Sequence, residues 1–217
     1  MRYLTCVLVC EGVSDRWVLP VLLQRATDQL CGEACLEAVE IAEIRCLSVD
    51  HQRPEMVVEA VGRERGSFDL LFYHHDGFPR RKAADKIEAV RRALVESGTD
   101  EPLVPVVPVK ETEAWLIADP DALADVLSVP LSKVCELVPG RPDLIEDQDD
   151  PKRVLVEVLG SIVRRHRRTR PDGAEVERYF TALAESIDID RLRKVPAFAA
   201  WRHAMENALQ VLGYRRV

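Results

Sequence analysis

Residues 3–10 run almost without a break through Leu, Val, Cys and aromatic side chains, the pattern of a strand covered on both faces in a parallel sheet. Glu11-Gly12 ends the run. Ser14 offers a cap for a helix predicted to about residue 30, with Val18, Leu22 and Ala26 on one buried stripe. Pro20 lies beyond its first turn and is expected to kink it or delay its regular start. A second strand is predicted over 41–49, then a short charged helix over 54–65 with Pro54 near its first turn. The third strand, 68–74, ends in His75-Asp76-Gly77. A helix over 80–96 turns Ala83, Ile87, Val90 and Leu94 inward, and a fourth strand follows over 103–109. Pro105 and Pro108 restrict that strand to an edge or an irregular course.

Past residue 119 the texture changes to helices and polar connectors. Helices are predicted over 120–127, 151–165, 174–186 and 196–212, with a loop-rich acidic stretch over 129–150. The last ends before Gly213. The expected fold is α/β: a mostly parallel, Rossmann-like sheet of at least four strands flanked by helices over 1–119, with a helical extension over 120–217 packed on it. In such sheets ligands gather at the carboxyl ends of the strands.

With 217 residues, 47% apolar and 31% charged, the chain reads as a soluble globule, which excludes disordered, collagen-like and coiled-coil classes. Thirty basic and 37 acidic residues leave a formal charge of -7, so the simplest signature of a non-specific nucleic-acid binder is missing. A local basic patch remains compatible with that role. The six cysteines sit mostly inside apolar runs, which points to a reduced, cytoplasmic protein. Cys31 and Cys35 have a metal-like spacing, but no second pair completes four ligands. The N-terminal apolar run is too short for a signal peptide or a membrane span. Neither a Walker A pattern nor a dinucleotide fingerprint occurs, which argues against NTP hydrolysis by this chain alone.

Glu11 follows the first strand, Asp76 the third, and Glu111 and Glu113 the fourth, so parallel strands would bring these carboxylates to one edge. That is the composition of a Mg²⁺ or Mn²⁺ site of the kind that activates water and neutralises a phosphoryl transition state. The plainer reading is that acids end strands and cap helices. Glu113 and Asp119 cannot share one face of a regular helix, so one of them caps a helix or meets the C-terminal helices; Glu113 is the candidate ligand. Trp115 reads as core. His74 and His75 face opposite sides of a strand; one is expected in the core, and His75, beside Asp76, is the candidate general base or phosphate contact. Arg80, Arg81, Lys82 and Lys110 are phosphate candidates at the same edge. Arg164, Arg165, Arg167 and Arg168 belong to the one concentrated positive run, which would hold phosphate backbones or end as a solvated helix terminus. A third reading pairs that run with the acids Glu146, Asp147, Asp149 and Asp150.

Glu11-Gly12 after a hydrophobic strand, Asp15 opening a helix, and an aspartate at a later strand tip resemble the Toprim fold, the metal-binding catalytic domain of topoisomerases, primases, recombination proteins and OLD-type nucleases. The closer likeness is to a small stand-alone Toprim-like bacterial family, domain of unknown function 4276, often found near mobile-element or phage-defence genes. Segments 9–15, 107–119, 150–152 and 195–201 carry that likeness, and 107–119 around Trp115 is the most specific. The resemblance implies Glu11 as general acid or base and Asp76 as a metal ligand; taken with the placement of the acids, the expectation is a Mg²⁺- or Mn²⁺-dependent nuclease with a metal set of Glu11, Asp76, Glu113 and Asp15. Phe78 stands where Toprim enzymes carry a second aspartate, which favours an alternative: a non-catalytic binding or regulatory subunit of a defence complex. The expected partners are nucleic acid, an ATPase or other defence component, and a second copy of the chain, with no membrane among them.

Overall fold

The computed structural model of the chain describes residues 1–138, 140–166 and 173–215, with side chains outside 161–175. The first predicted strand is two, β1 (Arg2–Leu4) and β2 (Cys6–Val9), and the second is β3 (Val39–Ile41) and β4 (Arg45–Leu47). Thr5 makes the first break: its N–H and hydroxyl both donate to the Asp69 carboxylate, at 2.8 and 2.7 Å, instead of serving a ladder. β5 (Leu70–His74) and β6 (Leu103–Val106) complete the set. β1 pairs with β3, and the main sheet runs β4-β2-β5-β6, parallel throughout. β6 is an edge strand, and Pro105 lies opposite Tyr73 without breaking the pairing.

Parallel neighbours require crossovers, and the helices supply them. α1 (Val13–Ala34) joins β2 to β3, α2 (Pro54–Arg63) joins β4 to β5, and α3 (Arg80–Glu96) joins β5 to β6. α1 contains Pro20 and continues past the predicted end at 30. The C-terminal part holds α4 (Glu113–Leu116), α5 (Pro120–Leu127), α6 (Leu131–Cys135), a 3-10 turn over Pro142–Asp147, α7 (Pro151–His166), α8 (Gly173–Ser186), α9 (Ile189–Leu192) and α10 (Pro196–Val211).

The alternation of side chains along each strand builds two cores. Val7, Val9, Leu71 and Tyr73 pack with Val57 and Val61 of α2 and with Ile87, Val90 and Leu94 of α3. Leu8, Leu70, Phe72, Val104 and Val106 join the opposite cluster, which takes in α1 and reaches into the C-terminal helices through Leu183, Phe198, Trp201 and Met205. Trp115 is fully buried there, as expected, with its ring edge-on to Phe198 at 5.2 Å and 84°. Among the described residues no helix is long and apolar enough to cross a membrane.

Trp115→Ala removes the largest fully buried side chain and should cost about 3–5 kcal/mol, because the surrounding rings close the cavity only in part. Denaturant unfolding reads this as a lower midpoint at unchanged slope.

Candidate functional site

Because β2, β5 and β6 are parallel, the segments that leave them meet at one edge. Gly12 takes the helix-capping position that Ser14 was expected to fill, and its N–H donates to Asp15 Oδ2 at 2.6 Å. A Cβ at Gly12 would stand 2.8 Å from that oxygen, so a larger residue here would have to shift the Asp15 carboxylate. The helix starts earlier than expected, which puts Ser14 inside its first turn and leaves the free N–H of the cap residue to the Asp15 carboxylate. Asp15 is buried, and its Oδ1 accepts the Thr112 hydroxyl at 2.7 Å. Both its oxygens are engaged within the fold, so Asp15, expected among the metal ligands, also anchors the turn.

His74 is wholly buried and joins the three segments. The Glu11 N–H donates to its Nδ1 at 3.3 Å, and Thr112 Oγ1 lies 3.3 Å from its Nε2. Since the Thr112 hydroxyl gives its one proton to Asp15, it can only accept from His74. His74 is therefore neutral, with its proton on Nε2. Burial holds it below the ordinary imidazole range, although the charges of Asp15 and Glu11 pull the other way.

The Glu11 side chain stands between two more histidines. Its Oε1 lies 3.5 Å from His51 Nε2, while its Oε2 accepts the Asp76 N–H at 3.4 Å and lies 3.9 Å from His75 Nδ1. His75 Nδ1 sits 2.7 Å from the Asp76 carbonyl, to which it donates, so its proton is on that nitrogen. The His51 carbonyl accepts the Tyr73 hydroxyl at 2.7 Å, but its buried Nε2 has no hydrogen-bond partner. Burial lowers the His51 pKa against the pull of Glu11. His51 was missed from the sequence. It follows a strand at the same carboxyl edge, and that rule, applied to the second strand, would have found it.

Gly77 fits where no larger residue would: its Cβ would stand 2.6 Å from the Pro108 carbonyl, which accepts the Gly77 N–H at 2.7 Å. This contact brings Asp76 against the 107–112 segment. Burial first, and then the charges of Glu11, Asp15, Glu111 and Glu113, push the Asp76 carboxyl up to about 7. Glu113 is 3% exposed and also raised by burial, with Lys152 Nζ at 3.4 Å working against it. The Lys152 N–H, in the first turn of α7, donates to Glu111 at 3.2 Å.

The remaining candidates fall outside this cluster. Asp119 caps α5 through the Asp121 and Ala122 N–H groups and pairs with Arg191 at 2.6 Å, so it is the structural member of the Glu113 and Asp119 alternative. Phe78 is 67% exposed. Arg80, Arg81 and Lys82 open α3 as exposed cations, and Lys110 pairs with Asp149 at 3.1 Å. Asp150 caps α7 through the Arg153 N–H, and Glu146 accepts the Ala197 N–H. Arg164, Arg165, Arg167 and Arg168 lie outside the described residues and side chains.

Carboxylates without matching cations suit a hard divalent ion in charge and donor type. As the side chains stand, no three His, Cys, Asp or Glu groups among the described residues share one coordination shell. A family model described as Domain of unknown function (DUF4276) matches residues 10–206. The chain belongs to the DUF4276 family. No curated protein matches it.

Asp76 sets a pH dependence. Its folded-state pKa lies above that of an unfolded aspartate, so the folded state binds the proton more tightly and stability is lost as pH rises through about 7. In chelator-containing buffer Asp76→Asn should melt higher than wild type at pH 8, and the gain should vanish near pH 4, below the unfolded pKa of about 3.9. Thr112→Val leaves the His74 Nε2–H and Asp15 Oδ1 without their shared partner and should cost about 1–3 kcal/mol in denaturant unfolding.

Proposed function

We propose that the acidic edge is a Mg²⁺- or Mn²⁺-dependent phosphoryl-transfer centre, a nuclease hydrolysing phosphodiesters. The observation that carries this reading is the charge at Asp76: a partly buried carboxyl feels the charges of four other carboxylates, and Lys152 is paired to only one of them, Glu113. Asp76, Glu113 and Glu11 would hold the cation, which supplies Lewis-acid stabilisation of the phosphoryl group and a more acidic water. Glu11 is the group to accept a proton from the attacking water, since its carboxylate is held by a single long hydrogen bond from the Asp76 N–H. Lys152, beside Glu113 and Glu111, is the cation best placed to orient a phosphate. Resemblance to Toprim enzymes supports the same chemistry, and resemblance alone suggests a setting in phage defence or nucleic-acid processing, with nucleic acid, an ATPase and a second copy of the chain as partners.

The exposed Phe78 and the absence of a ready three-ligand shell among the described residues favour a second reading, a non-catalytic regulatory subunit. Calorimetric titration of Mn²⁺ and Mg²⁺ separates the two. Binding to wild type that is lost in both Glu11→Gln and Asp76→Asn, with cleavage of DNA or RNA falling about 10²–10⁴-fold in Glu11→Gln, is the expected result. No binding up to about millimolar metal, with or without nucleic acid present, would establish the regulatory reading instead.

A further inference from the structure

Two grooves formed by the described residues stand apart from the acidic cluster and are large enough to weigh. The larger, about 580 Å³, runs along α8 past Glu177, Arg178 and Thr181; it is lined by one helix and carries no convergent chemistry. The smaller, about 290 Å³, opens between α3 and the turn that leads into α2. Its lining takes in Pro54 and Ala89, the polar Gln52, Lys82, Asp85 and Lys86, and the buried Tyr73 and Val90 behind them.

From this cavity we infer a subsite for a single nucleotide of the substrate, and the inference rests on the phosphoryl-transfer reading above. The two lysines are one helical turn apart on the same face of α3, and among the described residues neither makes an ion pair or hydrogen bond with another side chain. The apolar edges of Pro54 and Ala89 beside two uncommitted ammonium groups suit a base with a phosphate attached. The Gln52 amide presents both a donor and an acceptor, as the edge of a base requires. Asp85, also in the lining, adds an acceptor for sugar hydroxyls. The volume falls at the small end of ligand sites, which fits one nucleotide and not a longer segment.

Position ties the cavity to the acids. The Tyr73 hydroxyl holds the His51 carbonyl, and the Lys86 charge is felt at the His51 ring, whose Nε2 faces Glu11. A strand with one phosphate at the acidic edge would lay its neighbouring nucleotide in this cavity. The lysines then set where along the strand the scissile phosphate falls.

Binding of nucleoside monophosphates, with inorganic phosphate as the comparison probe, is measured by calorimetry in chelator-containing buffer so that no divalent ion is involved. Wild type should bind at least one monophosphate more tightly than phosphate alone. The Lys82→Ala/Lys86→Ala double variant should bind about tenfold more weakly or worse. Ala89→Trp, which fills the groove, should abolish binding of the monophosphate. Arg92→Ala, removing an exposed charge of the same helix outside the cavity, should leave it unchanged, and thermal melts confirm that each variant folds. No monophosphate binding by wild type up to about 10 mM, or equal binding by wild type and both cavity variants, would overturn the subsite. Nucleotide binding without divalent-ion binding would keep the subsite and remove the catalytic reading. Cleavage at wild-type rate and position by both cavity variants would do the reverse.

Discussion

A neutral His74, buried with both ring nitrogens satisfied, is the constraint on which the strand tips depend. Leaving either nitrogen unpaired in that position would cost about 1–3 kcal/mol. Its partners come from two other segments, the Glu11 N–H after β2 and the Thr112 hydroxyl after β6. The proton directions form a one-way chain, from His74 to Thr112 to Asp15, and Asp15 closes it by holding Gly12. No link can be reversed without stranding a donor or an acceptor. The turn that carries Glu11 is therefore placed by the same bonds that make the sheet edge stable.

The acids gathered around that edge repel one another, and the C-terminal helices offset part of the repulsion. Lys152 reaches Glu113, and its backbone N–H fastens the start of α7 to Glu111. Asp119, capping α5, accepts the Asp188 N–H and the Arg191 guanidinium and so ties α5 to α9. The larger apolar cluster runs without interruption from Leu8 and Phe72 to Trp201 and Leu209. The helical part therefore does more than cover the sheet: it supplies the cation beside the most buried acid.

What the sequence made legible were features with short-range causes. The helix over 80–96 matches α3 because its apolar stripe is regular, and the one over 120–127 matches α5 because Asp119-Pro120 is a strong start signal. The convergence of Glu11, Asp76 and Glu113 followed from parallel strands alone. Asp15 read as an open ligand because its engagement depends on Thr112, 97 positions away in the chain. Thr112 itself carries no pattern in the sequence. The break at Thr5 depends on Asp69 in the same way, and α4, at four residues, is too short to show a period. Hydrogen-bond partners distant in the chain, and elements shorter than their own repeat, were hidden for these physical reasons.

The same network separates the carboxylates by what they are free to do. Asp15 is locked by two short bonds, at 2.6 and 2.7 Å, and releasing it would undo both the helix cap and the His74 chain. Glu11 has a fixed backbone but a loosely held carboxylate, with one bond at 3.4 Å and an unpartnered His51 nitrogen opposite. Asp76 is fixed through the N–H groups of its neighbours His75 and Gly77, which donate to the Val106 and Pro108 carbonyls, while its side chain takes the electrostatic strain. Rigid main chain beneath side chains that turn at small cost is the arrangement a ligand-binding edge requires, since the fold bears the cost of positioning before any ligand arrives. Glu11 and Asp76 are on that ground the carboxylates free to turn, and Asp15 is the one that keeps them in place.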